Sequence, residues 1–296
     1  MIMSRSFSRP IRRLVGVAVL ALGMSSAALA AGDSCENPLP HQQWSFSGLF
    51  GTFDRAAAQR GYQVYNQVCA ACHGLSLVAY RNLEDIGLSE GQIKELIKDI
   101  QIQDGPNDTG EMFERGAKLS DRFRNPYANE QAARAANNGG LPPDLSLIAK
   151  SRSGDECAIG IPIIRSFVNK TQQRGPDYIY GVLTGYADFK TVTPAQLHKL
   201  GLADDFKLGK GMNFNVQFKG HQIAMPPPLS DGAVTFADDA PNKVGDMAHD
   251  VATFLAWAAE PKMEDRKRTG VRVVLFLLLL AGIMYLAKRK IWARAH

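Results

Sequence analysis

Cys69-Ala70-Ala71-Cys72-His73 sets two thiols three positions apart and follows the second at once with an imidazole. That is the spacing of c-type haem attachment, in which both sulfurs add across the vinyl groups and the adjacent histidine reaches the iron from one side. No other feature constrains the fold as strongly, because a chain that carries it must close around a large flat group as well as around its own side chains. A structural zinc site would want a second Cys/His pair at ligand spacing, which is missing here. A thioredoxin-like pair would sit in a βαβ pattern, and none surrounds this motif. A single copy disfavours multihaem carriers and dihaem peroxidases.

The surrounding periodicity is helical. Ser89 with Gln92 three residues later makes a capping box, and Ile93, Leu96, Ile97 and Ile100 follow at helical spacing, which predicts an amphipathic helix over 90–101. Helices are also expected over Asp54 to Val68, ending at the cysteine motif, over Glu130 to Asn138, over Pro176 to Leu183 and over Asn242 to Ala259, the last three closed by Gly139, Gly185 and Pro261. Strand patterns are scarce. Gln103 to Asn129 and Tyr186 to Asp239 are long stretches with Gly and Pro. Loops of that length in a compact domain need something to order them, and a large cofactor would do so.

Both ends are basic and apolar. Arg12 and Arg13 precede the apolar stretch Leu14 to Leu22, and small residues run on to Ala28-Leu29-Ala30, the layout of a cleaved signal peptide over 1–30. An uncleaved N-terminal anchor is the alternative, although the apolar stretch is short for one. Val273 to Ala287 carries no charge and as a helix covers about 22 Å, so flanking residues must complete a roughly 30 Å crossing. The expected anchor is 270–288, with 262–269 as a short charged linker before it and 289–296 as a tail. Arg272 can snorkel outward, and Lys288, Arg289, Lys290 and Trp292 mark the other interface. A buried helix of a soluble protein remains the alternative for this stretch. The basic residues flank both ends of the span, so the signal peptide decides the orientation: the body 31–261 outside the cytoplasm, the tail inside it.

The formal net charge of +5 divides the same way. Residues 1–31 hold four arginines and no acid, and 262–296 hold nine Lys/Arg against two acids, so the body 32–261 carries −6. Nucleic-acid binding loses its support, since the basic residues sit in the two end segments.

An electron-carrying haem iron usually takes a second axial ligand. The candidates are Met112, Met212, Met225 and Met247 together with His41, His198, His221 and His249. Met225 is the best placed, because in Ile223-Ala224-Met225-Pro226-Pro227-Pro228 three prolines lock φ and hold a loop methionine at low entropic cost. Met212 is the next choice, and Met247 reads as core on a helix. Cys35 and Cys157 remain, and in an oxidising compartment a disulfide between them is expected, with two separate thiols as the alternative.

Longer motifs then run in order from about Trp44 to Trp292: C-A-A-C-H-G-L-S-L-V-A-Y-R-N-L, Q-D-G-P-N-D-T-G-E-M-F, A-A-R-A-A-N-N-G-G-L-P-P-D-L-S, D-Y-I-Y-G-V-L-T-G-Y, A-M-P-P-P and F-L-A-W-A-A-E-P. Together they closely resemble the cytochrome c1 family. The resemblance implies a mostly α, class I cytochrome c-like haem domain with long loops and one C-terminal transmembrane helix. It implies one covalently attached haem c in a subunit of the bc1 complex, the ubiquinol:cytochrome c oxidoreductase, with cytochrome b and the Rieske iron-sulfur protein as neighbours in a dimeric assembly. The haem would accept an electron from the Rieske protein and pass it to a soluble c-type cytochrome, on the periplasmic side of the inner membrane.

Residue by residue, Met225 falls on the family's sixth ligand, Arg152 on the arginine that pairs with a haem propionate, and Tyr178 on a pocket tyrosine. Asn137, Asn138, Pro142 and Pro143 match a loop against the haem, and their plainer reading is helix termination. A guanidinium offers a propionate a planar, always-charged fork, and Arg124 and Arg134 compete with Arg152 for that role. Some bacterial relatives carry a cysteine pair in the insertion before the methionine, whereas Tyr186 to Ala224 has no cysteine. The acidic body suits a basic soluble partner through faster encounter. Two alternatives stand beside this expectation: a free-standing tethered shuttle, which would need a long flexible linker, and a haem-based sensor with an open sixth site.

Overall fold

The computed structural model describes residues 39–152 and 173–293. The expected signal segment, Cys35 and Cys157 lie outside the described residues.

The first helix, α1, is Arg55–Gln67, started by Asp54, whose carboxylate accepts the N–H groups of Ala56 and Ala57. A 3₁₀ turn, Cys69–Ala71, follows directly. After a second 3₁₀ run, Tyr80–Ile86, comes α2, Glu90–Ile97, opened by the expected Ser89/Gln92 capping box. It stops short of residue 101, because Gln101–Asp104 leaves as strand β1 and pairs antiparallel with β2, Phe113–Gly116. Arg115 explains the change: its guanidinium bonds Asp104 on β1 at 2.5 Å and Asp121 beyond β2 at 2.6 Å, drawing the two strands together.

Four short or medium helices follow: α3 Glu130–Ala136, α4 Ile148–Ser151, α5 Arg174–Thr184 and α6 Pro194–Lys199. A second small antiparallel pair, β3 Asn213–Phe214 with β4 Gln222–Ile223, precedes the long helices α7, Val244–Ala259, and α8, Met263–Trp292. Both stretches expected as loops therefore carry structure of their own. In the second, Phe189 packs on Phe206 and Phe214 with ring centroids 5.7 and 5.4 Å away, a small aromatic nucleus within the insertion.

The core lies where α1 crosses α7. Gly61 makes the approach possible, since a Cβ there would stand 2.0 Å from the Asp250 carbonyl oxygen and 2.8 Å from Phe254 Cβ. Arg60 bonds the Asp250 carboxylate through two nitrogens, at 2.6 and 3.2 Å, along the same seam. Tyr62, Val64 and Tyr65 from α1 and Met247, Phe254 and Trp257 from α7 are buried together, so Met247 is core, as expected. The chain before α1 straps this pair to α5: Trp44 Nε1 donates to the buried Asp177 carboxylate at 2.8 Å, and its ring stacks on His249 at 4.5 Å.

Helix α8 starts three residues after α7 closes, so the segment expected as a linker forms its first two turns. Those turns are held to the domain. Glu264 accepts from the Phe53 N–H at 2.9 Å and from Arg55 at 3.0 Å, while Lys267 Nζ donates to the carbonyls of Phe46 at 2.6 Å and Gly51 at 3.1 Å. Its 30 residues reach about 45 Å, more than the roughly 30 Å a hydrocarbon core requires. The helix is long and apolar enough to cross a membrane, and its most apolar stretch is wholly unburied. The described residues are thus mostly helical, with one helix long and apolar enough to cross a membrane.

Candidate haem site

The 3₁₀ turn after α1 orients the cysteine motif. Cys72 N–H and His73 N–H both donate to the Cys69 carbonyl, at 3.1 and 2.9 Å, which wraps two thiols and an imidazole around one turn. Both cysteine side chains are half-buried. Burial, with the second thiol beside it, pushes Cys69 up to about 12. The side chain of His73 is fixed from behind: Nδ1 lies 2.8 Å from the Pro143 carbonyl oxygen, so it carries the proton and Nε2 keeps a free lone pair. Burial lowers the imidazole pKa, an effect partly opposed by that carbonyl and by Asp144, and the lowering favours the neutral form that metal ligation requires. Tyr65 Oη holds the His73 carbonyl at 3.1 Å.

The Pro143 segment is in turn stitched to the motif. The Asp144 carboxylate accepts the Ser76 N–H and the Ser146 N–H, each at 2.8 Å, Ser146 Oγ accepts the Leu77 N–H at 3.0 Å, and the Leu145 N–H reaches the Gly74 carbonyl at 2.9 Å. A Cβ on residue 74 would meet Asn125 Oδ1 at 2.2 Å, so a larger residue there would have to displace the Asn125 side chain.

Met225 sits on the other arm. Its carbonyl accepts from Tyr186 Oη at 3.1 Å and from Asn213 Nδ2 at 3.3 Å, so the insertion braces the proline-locked loop from two sides. Tyr186 and Asn213 also line a cleft of about 550 Å³ with Phe189, Phe214 and Pro227. Asn137 caps α3, donating through Nδ2 to Tyr127 Oη at 3.0 Å and to the Ala133 carbonyl at 2.7 Å, and Asn138 turns the chain with φ of 51°. That turn carries Gly140 so close to Ala224 that a Cβ on it would touch the alanine methyl at 3.4 Å. One loop, Asn137 to Pro143, therefore reaches the residue beside Met225 with one end and His73 with the other.

Arg152, the C-cap of α4, lies over the ring of Tyr178 on α5 at 5.9 Å. Burial raises the Tyr178 pKa, with the guanidinium opposing it. Burial raises the Tyr186 pKa, and Tyr178 adds to the effect. Arg134 is occupied elsewhere, donating to the Gly139 carbonyl at 3.2 Å.

Sequence reasoning brought forward Cys69, Cys72, His73, Met225, Arg152, Tyr178, Asn137 and Pro143, and missed Asp144, Ser146, Tyr186 and Asn213. Asp144 and Ser146 stand in P-P-D-L-S, where an acid and a serine two apart after prolines signal a side-chain-bonded turn. Nothing local in the sequence of Asn213 or Tyr186 points toward Met225.

The donor set suits a covalently attached haem. Two thiols and an imidazole on one turn would hold such a group, and Met225, on a loop whose backbone is braced, would offer it a thioether. Among the described residues no three His, Cys, Asp or Glu side chains converge as a site for a bare ion.

The Cytochrome C1 family model matches residues 44–295. A protein named cytochrome b/c1 from Bradyrhizobium diazoefficiens is 46% identical over 287 residues, which are 96% of this chain and only 39% of that relative. Cytochrome c1 of Rhodospirillum rubrum is 42% identical over 279 residues, 93% of each chain. A mitochondrial heme protein of Arabidopsis thaliana, cytochrome c1 1, is 42% identical over 270 residues, 90% of this chain and 76% of its own length.

Proposed function

Because this chain belongs to the cytochrome c1 family, whose members carry one covalently bound haem c, we propose that it serves as the haem c subunit of a bc1 complex, taking an electron from the Rieske iron-sulfur protein and handing it to a soluble c-type cytochrome. When bound, the haem supplies a one-electron Fe(III)/Fe(II) couple, and no substrate bond is made or broken by this chain.

The protein's part is to hold and orient. Cys69 and Cys72 would hold the haem covalently through their sulfurs, His73 Nε2 and Met225 Sδ would donate to its iron, and Arg152, beside Tyr178, would offer a fork to a propionate. The Pro143 carbonyl keeps His73 in one tautomer and raises its donor strength. Tyr186 and Asn213 fix the backbone of Met225, so a weak thioether donor is presented with little ordering left to do. Cytochrome b packs beside α8, in keeping with a relative named for both b and c1, and the assembly is a dimer. The haem domain faces the periplasm and the C-terminus the cytoplasm, supported by the signal-peptide pattern of residues 1–30.

The observation that carries the reading is the loop Asn137 to Pro143, which is hydrogen-bonded to His73 at Pro143 and passes beside Ala224, the neighbour of Met225, at Gly140. The tethered-shuttle alternative has less support, since the anchor helix begins three residues after α7 and is bonded to the domain. Met225→Leu is the test. The reading expects a sharply lower haem potential and rapid carbon monoxide binding by the reduced protein; an unchanged potential removes Met225 as ligand.

A further inference from the structure

Where α8 emerges from the domain, the loop after Trp44 leaves a cavity of about 320 Å³ against the helix, lined by Leu49, Phe50, Glu264, Lys267, Arg268 and Arg272. Its composition is unusual for a solvent-facing hollow. Phe50 is 80% exposed and Leu49 44% exposed, two large apolar side chains beside three cations. The carboxylate of Glu264 does not balance those cations, because one oxygen accepts the Phe53 N–H and the other Arg55. Lys267 keeps one N–H after its two carbonyl bonds. Arg268 reaches Asp265 only at 3.9 Å, and among the described residues no carboxylate pairs with Arg272.

The height of this cavity follows from the helix. The charge-free run starts at Val273, so Arg272 and Arg268 stand at the level of the headgroups, with Phe50 and Leu49 beside them in the same cavity. We propose that this cavity binds the phosphate headgroup of one anionic phospholipid from the leaflet facing the haem domain, with Arg268, Arg272 and the remaining Lys267 N–H around the phosphate and Phe50 and Leu49 against its chains. Charge complementarity selects this occupant. An apolar helix packed there would bury Arg272 without a counter-charge, which is costly, whereas a phosphodiester provides one together with acceptor oxygens. The inference goes beyond the electron-transfer reading and does not depend on it.

The test uses the full-length haem-bearing protein in mild detergent, with dioleoylphosphatidylglycerol and dioleoylphosphatidylcholine compared by native mass spectrometry. One phosphatidylglycerol is expected to bind in preference to phosphatidylcholine, and Arg268→Gln with Arg272→Gln to weaken it by about fivefold or more, as loss of contacts to anionic lipid implies. Lys288→Gln with Arg289→Gln, at the far end of the helix, should leave that adduct in place. No preference for phosphatidylglycerol, or a loss confined to the far-end variant, overturns the proposal. A benzophenone side chain at position 50 gives a second reading in intact membranes: crosslinks to lipid are expected, and crosslinks to a polypeptide instead overturn it.

Discussion

Tyr186 and Asp144 show how much of the site rests on single hydrogen bonds away from the donors themselves. Tyr186→Phe removes one of the two bonds to the Met225 carbonyl and should cost about 1 kcal/mol of loop order. The expected outcome is a weakened long-wavelength thioether–iron band and faster carbon monoxide binding, with α-helical circular dichroism unchanged. Asp144 acts on the opposite arm. Burial alone would raise its pKa, but the bonds from Ser146 and Ser76 outweigh it and hold the carboxyl below its ordinary value. A depressed carboxyl stabilises the fold above its unfolded pKa, near 4, and loses that contribution as pH falls through the folded value. Asp144→Asn should thus lower thermal stability by the equivalent of about 1 kcal/mol at neutral pH, with the gap from the unmodified protein closing below about pH 4; a gap that persists in acid would assign the loss to shape rather than charge. At this scale the sequence was legible where chemistry is local. The cysteine motif and the proline-locked methionine speak for themselves, whereas Tyr186 and Asn213 reach Met225 only across 39 and 12 residues of chain.

Among the elements, α1 and α7 matter most, since their crossing supports the turn that bears the cysteine motif. Gly61→Ala drives a methyl into the Asp250 carbonyl and Phe254; overpacking of this kind costs about 1–3 kcal/mol or more. Calorimetry should show a lower unfolding temperature, with the difference spectrum of the folded protein retained. The capping box at Ser89 gave the start of α2 well, because a cap is a local bond, and Asp54 and Asn129 cap α1 and α3 in the same local way. Helix ends and small strands were less readable. Ile100 continues the helical pattern, yet the chain turns into β1 because Arg115, eleven residues beyond Asp104, bonds it. The insertion after Tyr186 hid its aromatic nucleus for the same reason, its three phenylalanines being spread from 189 to 214.

Taken as a whole, the molecule is an electron-carrying domain fixed to its anchor. Charge-free length announced the membrane helix, but periodicity could not announce that the charged turns before it are bonded to the loop ahead of α1, since those partners lie 211 to 221 residues away. A domain held this way cannot roam as a tethered shuttle would, which suits a relay between fixed neighbours. The account's central claim is that this haem works inside a quinol-oxidising complex. The measurement that meets it most directly is a reduced-minus-oxidised optical spectrum of the tagged chain, drawn gently from its own membranes in mild detergent. The account predicts b-type haem together with c-type in constant ratio across detergents; c-type haem alone in all of them would contradict it.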